Sequence, residues 1–168
     1  MEVHGAYYIL VLICQGVDRL PIHKYVSGAL ASIVHYERPS NKRCPSIDFL
    51  EDRRMQDNMR QRFKGQFHAL STSVSPVSYV NQERFRPLQK DGKPLWEFKE
   101  HDHRLYCCRA VKGPRLIVVL LNGWVKDKEG KGKQEAREIQ KALNLYAEFI
   151  EELNGGEYDV LEAVINKN

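Results

Sequence analysis

Eleven lysines and arginines fall between residues 84 and 128: Arg84, Arg86, Lys90, Lys93, Lys99, Arg104, Arg109, Lys112, Arg115, Lys126 and Lys128. Cations at this density suit a polyanion, because each one placed beside a phosphate releases condensed counterions. Nucleic acid is the partner this chemistry favours, although a merely solvated surface carries the same residue types. His101 and His103 stand next to Arg104, so side chains that titrate near neutral pH adjoin the cluster. The sulfur chemistry points nowhere comparable. Cys14, Cys44, Cys107 and Cys108 show neither a CxxC spacing nor the density of a disulfide scaffold. Cys107 and Cys108 are adjacent, and in a strand they point to opposite faces, so they cannot share a metal. No metal site is expected.

The elements that must position these residues are legible from periodicity. Ile47, Phe49, Leu50, Met55, Met59, Phe63, Phe67 and Leu70 recur mainly at spacings of three and four, which predicts one amphipathic helix over 46–70, capped by Ser46. After a Ser/Thr/Val/Pro loop, 83–88 and 95–100 flank the turn signal Lys-Asp-Gly-Lys-Pro and read as a strand pair. A third strand over 103–111 follows, then the turn Lys112-Gly113-Pro114, then the unbroken apolar run Leu116 to Leu121. A run apolar at every position needs cover on both faces, so this strand belongs at the centre of a sheet. Lys126 to Lys133 reads as a basic loop. A last helix over 134–153 buries Ala136, Ile139, Leu143, Tyr146, Ile150 and Leu153 and stops at Asn154-Gly155-Gly156. The class is α+β.

Chain length and charge set further bounds. With 168 residues, 42% apolar and 29% charged, there is material for one well-buried domain and no second, and disordered or collagen-like classes are excluded. The net charge of +4 is unevenly spread: 46–133 holds eighteen basic and eleven acidic residues, while 134–168 holds three and eight. The acidic tail reads as the solvated face of the last helix. Ala6 to Cys14, nine apolar residues, is roughly half of the ~20 needed to span a bilayer, and its flank lacks a basic signal region. A cytoplasmic protein without membrane association is expected.

Four segments, in order, resemble the RelE/HigB-like toxins of bacterial type II toxin–antitoxin systems, in their phage-derived branch. Ile33-Val-His-Tyr-Glu with Lys42-Arg43-Cys44-Pro45-Ser46-Ile47-Asp48-Phe49-Leu50 resembles the family's opening strand, its G-K-C-P-V-x-x-F-L turn and the start of its helix. Pro94-Leu95-Trp96-Glu97-Phe98-Lys99 is similar to L-W-E-L-R, and Arg104-Leu105-Tyr106-Cys107 to Y-R-I-L-Y. Leu120-Leu121-Asn122-Gly123-Trp124-Val125-Lys126 is similar to L-L-H-G-F-x-K. The resemblance covers 32–153, with 1–31 an N-terminal extension and 154–168 a tail. It implies a small curved antiparallel sheet packed with a helix from the N-terminal half and a C-terminal helix. It further implies a basic face that cleaves messenger RNA, usually on the ribosome, without metal or other cofactor, and a neutralising antitoxin, often a helix-turn-helix protein.

In such a reaction the RNA 2′-hydroxyl attacks the adjacent phosphate, and fixed cations stabilise the charge that builds on the phosphoryl oxygens. The resemblance assigns catalysis to Arg104, or to Arg109 if the preceding hairpin is counted at the family's usual length, together with Lys99, and His103 joins them as a titratable neighbour of Arg104. RNA backbone contacts fall to Arg84, Arg86, Lys93, Lys126 and Lys128. Two departures stand out. Lys99 replaces the more usual arginine and loses its bidentate fork. Asn122 replaces a frequent histidine, and an amide moves no proton near neutral pH, so another group must be recruited, and His101 or His103 are the nearest titratable candidates. Tyr106, Trp96 and Trp124 read as core, and Glu97 as a structural partner of a basic neighbour. A non-catalytic RNA-binding relative and a gyrase-poisoning one share these features. Residues 1–31 have no counterpart: Tyr7 to Ile13 suits an edge strand or a partner-binding segment, and translation starting downstream at the codon for Val26 or Leu30 is an alternative origin for the extension.

Overall fold

The computed structural model describes residues 22–88, 94–126 and 131–154. Its centre is the strand β6 (Arg115–Val125), where Leu116, Val118 and Leu120 are buried on one face and Ile117, Val119 and Leu121 on the other. Double burial demands two covering layers, and the helices supply them. On the first face lie α1 (Pro45–Leu50) and α2 (Asp57–Ser71), whose Leu50, Phe63, Phe67 and Leu70 pack against the even-numbered β6 residues. On the second face lies α3 (Lys131–Asn154), with Ile139, Ala142, Leu145 and Phe149 turned inward.

Around β6 the described strands form a six-stranded sheet in the order β1-β2-β6-β5-β4-β3. The strands are β1 (Ile22–Ser27), β2 (Ala31–Tyr36), β3 (Phe85–Pro87), β4 (Leu95–Glu100) and β5 (His103–Lys112). All neighbours pair antiparallel except β2 and β6, which run parallel with Ile33 opposite Val118. The sheet is therefore mixed, where an antiparallel one was expected. The chain leaves β2 to build α1 and α2 across the first face, then returns through β3, β4 and β5 before β6 enters beside β2. That long connection is what lets two parallel strands adjoin.

The single helix expected over 46–70 is two helices. Asp52 accepts a hydrogen bond from the Arg54 backbone N–H at 2.8 Å, a local turn that competes with helix continuation. Arg60 of α2 then reaches back, donating to the Leu50 and Asp52 carbonyls at 2.8 and 2.6 Å, so carbonyls freed at the end of α1 are satisfied. Met55, between the helices, is buried in the same core that the periodicity predicted for it. The last helix begins three residues before the expected position 134.

The 1–31 extension does not stay apart from the sheet. Residues 22–27 form β1 on its edge, and β2 begins at Ala31, so a start at Val26 or Leu30 would remove most or all of β1. Tyr7 to Ile13 and the tail beyond residue 154 lie outside the described residues. The β1–β2 turn passes very close to the end of α2: a Cβ on Gly28 would stand 1.8 Å from the Ser71 carbonyl oxygen. Because that neighbour is backbone, Gly28→Ala is expected to cost about 1–3 kcal/mol, a fall of roughly 3–10 °C in Tm by calorimetry; an unchanged Tm would show that the turn has room to shift.

Candidate nucleic-acid interface

Register decides which of the basic residues meet. Across β4, β5 and β6, Lys99 pairs with Arg104 and Arg104 with Trp124, while one row along Arg86 pairs with Glu97, Glu97 with Tyr106 and Tyr106 with Asn122. Strand alternation puts all of these side chains on the α3 face. A β-bulge completes the row: Cys107 opposes Leu120 and Tyr106 opposes Asn122, leaving Leu121 as the extra residue. Leu121 and Asn122 consequently both face α3, the re-aiming that bulges produce. α3 packs on β6 and β5, and Arg86, out on the edge strand β3, stays 40% exposed.

Glu97, only 2% exposed, organises this face. Its Oε1 accepts from Arg86 Nε at 2.9 Å, and its Oε2 lies 3.7 Å from Arg104 Nε. Arg104 is itself nearly buried, and its Nη1 donates to the His101 and His103 carbonyls at 2.6 and 3.0 Å. It is thus locked across the β4–β5 hairpin, whose turn holds His101 at φ 48°. Tyr106 accepts a hydrogen bond from Trp124 Nε1 at 2.9 Å, and burial raises its phenol well above the ordinary value, so it stays protonated. Asn122 donates to the Glu138 backbone carbonyl of α3 at 3.3 Å. Lys126 pairs with Glu135 of α3 at 3.2 Å.

The remaining sequence candidates fall elsewhere. Arg109 lies on the opposite face from Arg104. Its guanidinium stacks 4.0 Å from the Trp96 ring centroid and donates to the Val77 carbonyl, which anchors the 3₁₀ turn Pro76–Ser78 over the sheet. His103 also points to that opposite face, near the Phe49 ring at 6.1 Å. The two-residue period of β5 thus keeps Arg109, the alternative to Arg104, and His103, the candidate beside it, off the face that carries Arg104. Arg84 turns toward Glu100 and away from Arg86. Lys93 and Lys128 lie outside the described residues. Trp124 is buried and Trp96 packs against the first core, as their apolar neighbours predicted.

Cys107 and Cys108 enter opposite cores, as adjacency in a strand requires. Burial pushes the Cys108 thiol up to about 12 and Cys107 higher than usual, so neither supplies a thiolate at neutral pH. Among the described residues there is no group of three or more His, Cys, Asp or Glu placed to hold a metal, and no helix long and apolar enough to cross a membrane. Sequence reasoning missed Glu100 and its ring of Gln66 and Arg62. Its signal was present: Glu100 continues the file of Trp96 and Phe98, so a carboxylate stood on an apolar strand face. No protein-family model matches the chain, and no curated protein matches it at a significant level.

Removing the organising carboxylate leaves the nearly buried Arg104 without a counter-charge. Glu97→Ala is expected to cost about 2–4 kcal/mol in urea unfolding, below the range for wholly buried pairs because Arg86 is 40% exposed. A cost near zero would mean that Glu97 does not hold the arginines. Burial also lowers the His103 pKa below 6.5, with Asp102 opposing the shift. The unfolded chain then binds the extra proton first, so His103 contributes stability above about pH 6.5 that is lost as the pH falls below it. The urea midpoint of the wild type should drop more steeply from pH 7.5 to 5.5 than that of His103→Gln, and equal slopes would refute the assignment.

Proposed function

We propose that the chain is an RNA-cleaving toxin of the RelE/HigB-like kind, acting on translated messenger RNA and neutralised by an antitoxin. The observation that carries this reading is the cross-strand pair of Lys99 and Arg104 on the face of Arg86 and Glu97. Like charges directly opposite each other on a sheet are destabilising. A fold that sets two cations in register, with the carboxylate beneath them already shared by Arg86, keeps a field suited to an anion. A phosphate supplies that anion, and transition-state charge on its oxygens supplies more. Arg104, fixed by two carbonyls and Glu97, acts as a preorganised cation. Lys99 and Arg86, nearer to solvent, take the RNA backbone.

Proton transfer is assigned to His101, which is exposed in the turn joining the two cation-bearing strands. Arg109 has a structural role, stacked on Trp96. The antitoxin blocks RNA by laying an acidic or helical segment over the same cations. A second reading, an RNA-binding relative that does not cleave, is favoured by Tyr106 being buried and protonated and by Asn122 being tied to α3.

Inducible expression in a bacterial host separates the two readings. Wild type is expected to arrest growth and create new in-frame RNA 5′ ends; Lys99→Ala is expected to reduce these ends about 10²-fold, whereas Arg109→Ala retains them if it remains soluble. Arrest by Lys99→Ala equal to the wild type would sink the site. Soluble, folded wild type with intact RNA would favour the binding module.

A further inference from the structure

The strand that carries Glu97 carries a second buried carboxylate on its opposite face: Glu100, 4% exposed, lies on the α1/α2 side of β4. Gln66 of α2 holds it, donating Nε2 to Glu100 Oε1 at 2.8 Å and to the Lys99 carbonyl at 3.0 Å. Two guanidiniums then gather over it. Arg62 of α2 lies 3.7 Å from Oε2, and Arg84, at the start of the edge strand, 4.0 Å from Oε1.

Those distances are attractive but too long for hydrogen bonds. Arginines that pair closely elsewhere in the chain spend their donors: Arg38 grips Glu148 twice, Arg60 takes two carbonyls and Arg86 bonds Glu97 at 2.9 Å. Neither Arg62 nor Arg84 donates a side-chain hydrogen bond among the described residues, and both are about half exposed. One carboxylate therefore holds two forks in place electrostatically and leaves their N–H groups to bind something else. A planar guanidinium pair with free donors matches phosphate oxygens.

The two cation sets are mechanically joined. Lys99 N–H donates to the Arg84 carbonyl at 2.7 Å, so Arg84 and Lys99 adjoin across the β3–β4 ladder. The outer side of β3 is closed to strand addition: Phe85 N–H is turned back to the Asn81 carbonyl, and Pro87 has no N–H. What this edge offers a partner is charge. We infer that the RNA interface continues round the β3 edge, from Lys99 and Arg86 on one sheet face to a second backbone phosphate site formed by Arg62 and Arg84 over Glu100 on the other. This site rests on the RNA-binding part of the function proposed above. It binds phosphate without taking part in cleavage.

The test is the affinity of the full chain for a fluorescein-labelled, 2′-O-methylated RNA oligonucleotide, which cannot undergo 2′-hydroxyl attack, measured by anisotropy over a range of salt. Arg62→Gln/Arg84→Gln is expected to weaken binding several-fold and to reduce the slope of log affinity against log salt by about 1.4, two single-strand contacts' worth. Arg54→Gln, an exposed arginine paired with Asp52, controls for bulk charge and should change the slope little. Because the double variant leaves the buried Glu100 without a counter-charge, with only Gln66 still donating to it, Arg62→Gln/Arg84→Gln/Glu100→Gln is measured beside it and should show the same loss. Wild-type slopes in both variants, or an equal loss in Arg54→Gln, overturn the site. No affinity of the wild type for the oligonucleotide overturns it too, and new RNA 5′ ends in expressing cells then decide whether the nuclease reading falls with it.

Discussion

Leu116 to Leu121 leaves the chain very little choice. Six consecutive apolar residues on one strand cannot face water on either side, so β6 must sit inside the sheet with a layer above and a layer below. The amphipathic α1 and α2 segments are consumed by one face and the single stripe of α3 by the other. α3 has 24 residues, a length of about 36 Å at 1.5 Å per residue. It is committed to β6 and β5, where Ile139, Ala142, Leu145 and Phe149 find apolar partners. Arg86, on the far strand β3 beyond that cover, keeps substantial exposure. The open basic face is thus a by-product of where the doubly buried strand has to lie.

On β4 the same alternation that buries Phe98 and packs Trp96 against the core on one side sends Glu97 to the other, and Glu100 follows back. A buried carboxylate is tolerated only with cations or donors around it. Each of the two has recruited arginines: Arg86 and Arg104 at Glu97, Arg62 and Arg84 at Glu100. The recruiting differs in kind. At Glu97 Arg86 is hydrogen-bonded and Arg104 is fixed by backbone carbonyls, which makes a rigid field. At Glu100 the amide of Gln66 satisfies the carboxylate directly, so its arginines are held by attraction alone. Rigid charge suits stabilising a transition state, whereas loosely held forks suit a backbone that arrives in many conformations.

Much of this was legible in the sequence, and the failures are specific. Strand β4 was read over its whole span and β5 within one residue, because period-two alternation and Gly/Pro turns bound them. The broken helix was not: Leu50 to Met55 is the one step of five in a file otherwise spaced mainly by three and four, and there a side chain, Asp52, takes up the Arg54 N–H in a local turn after α1. The parallel β2–β6 pair was invisible because pairing partners are set by tertiary packing. The cations Arg104, Lys99 and Arg86 are legible by residue type, whereas their sharing the α3 face follows from register. Arg109 entered as the alternative to Arg104 through the hairpin count and His103 through its place beside Arg104, and both stand at odd-numbered offsets from Arg104, which a strand sends to the opposite face.

Asn122 shows how far the chemistry of this face is set by packing. The bulge at Leu121 turns Asn122 toward α3, where its amide nitrogen meets the Glu138 carbonyl, while Lys126 is neutralised by Glu135 one turn away. An imidazole in that place would have to leave α3 to reach a substrate near Lys99 and Arg104. Tyr106 is no substitute, because the indole N–H of Trp124 occupies its oxygen and burial keeps its proton in place. In the proposed nuclease the cations therefore carry most of the rate enhancement. Fixed charge aimed at a reacting phosphate is often the largest catalytic contribution, and proton transfer adds roughly 10²–10⁴-fold. A toxin built this way depends on the in-register Lys99–Arg104 pair, and any partner that sets a carboxylate between those two cations removes its activity without touching a proton-transfer group.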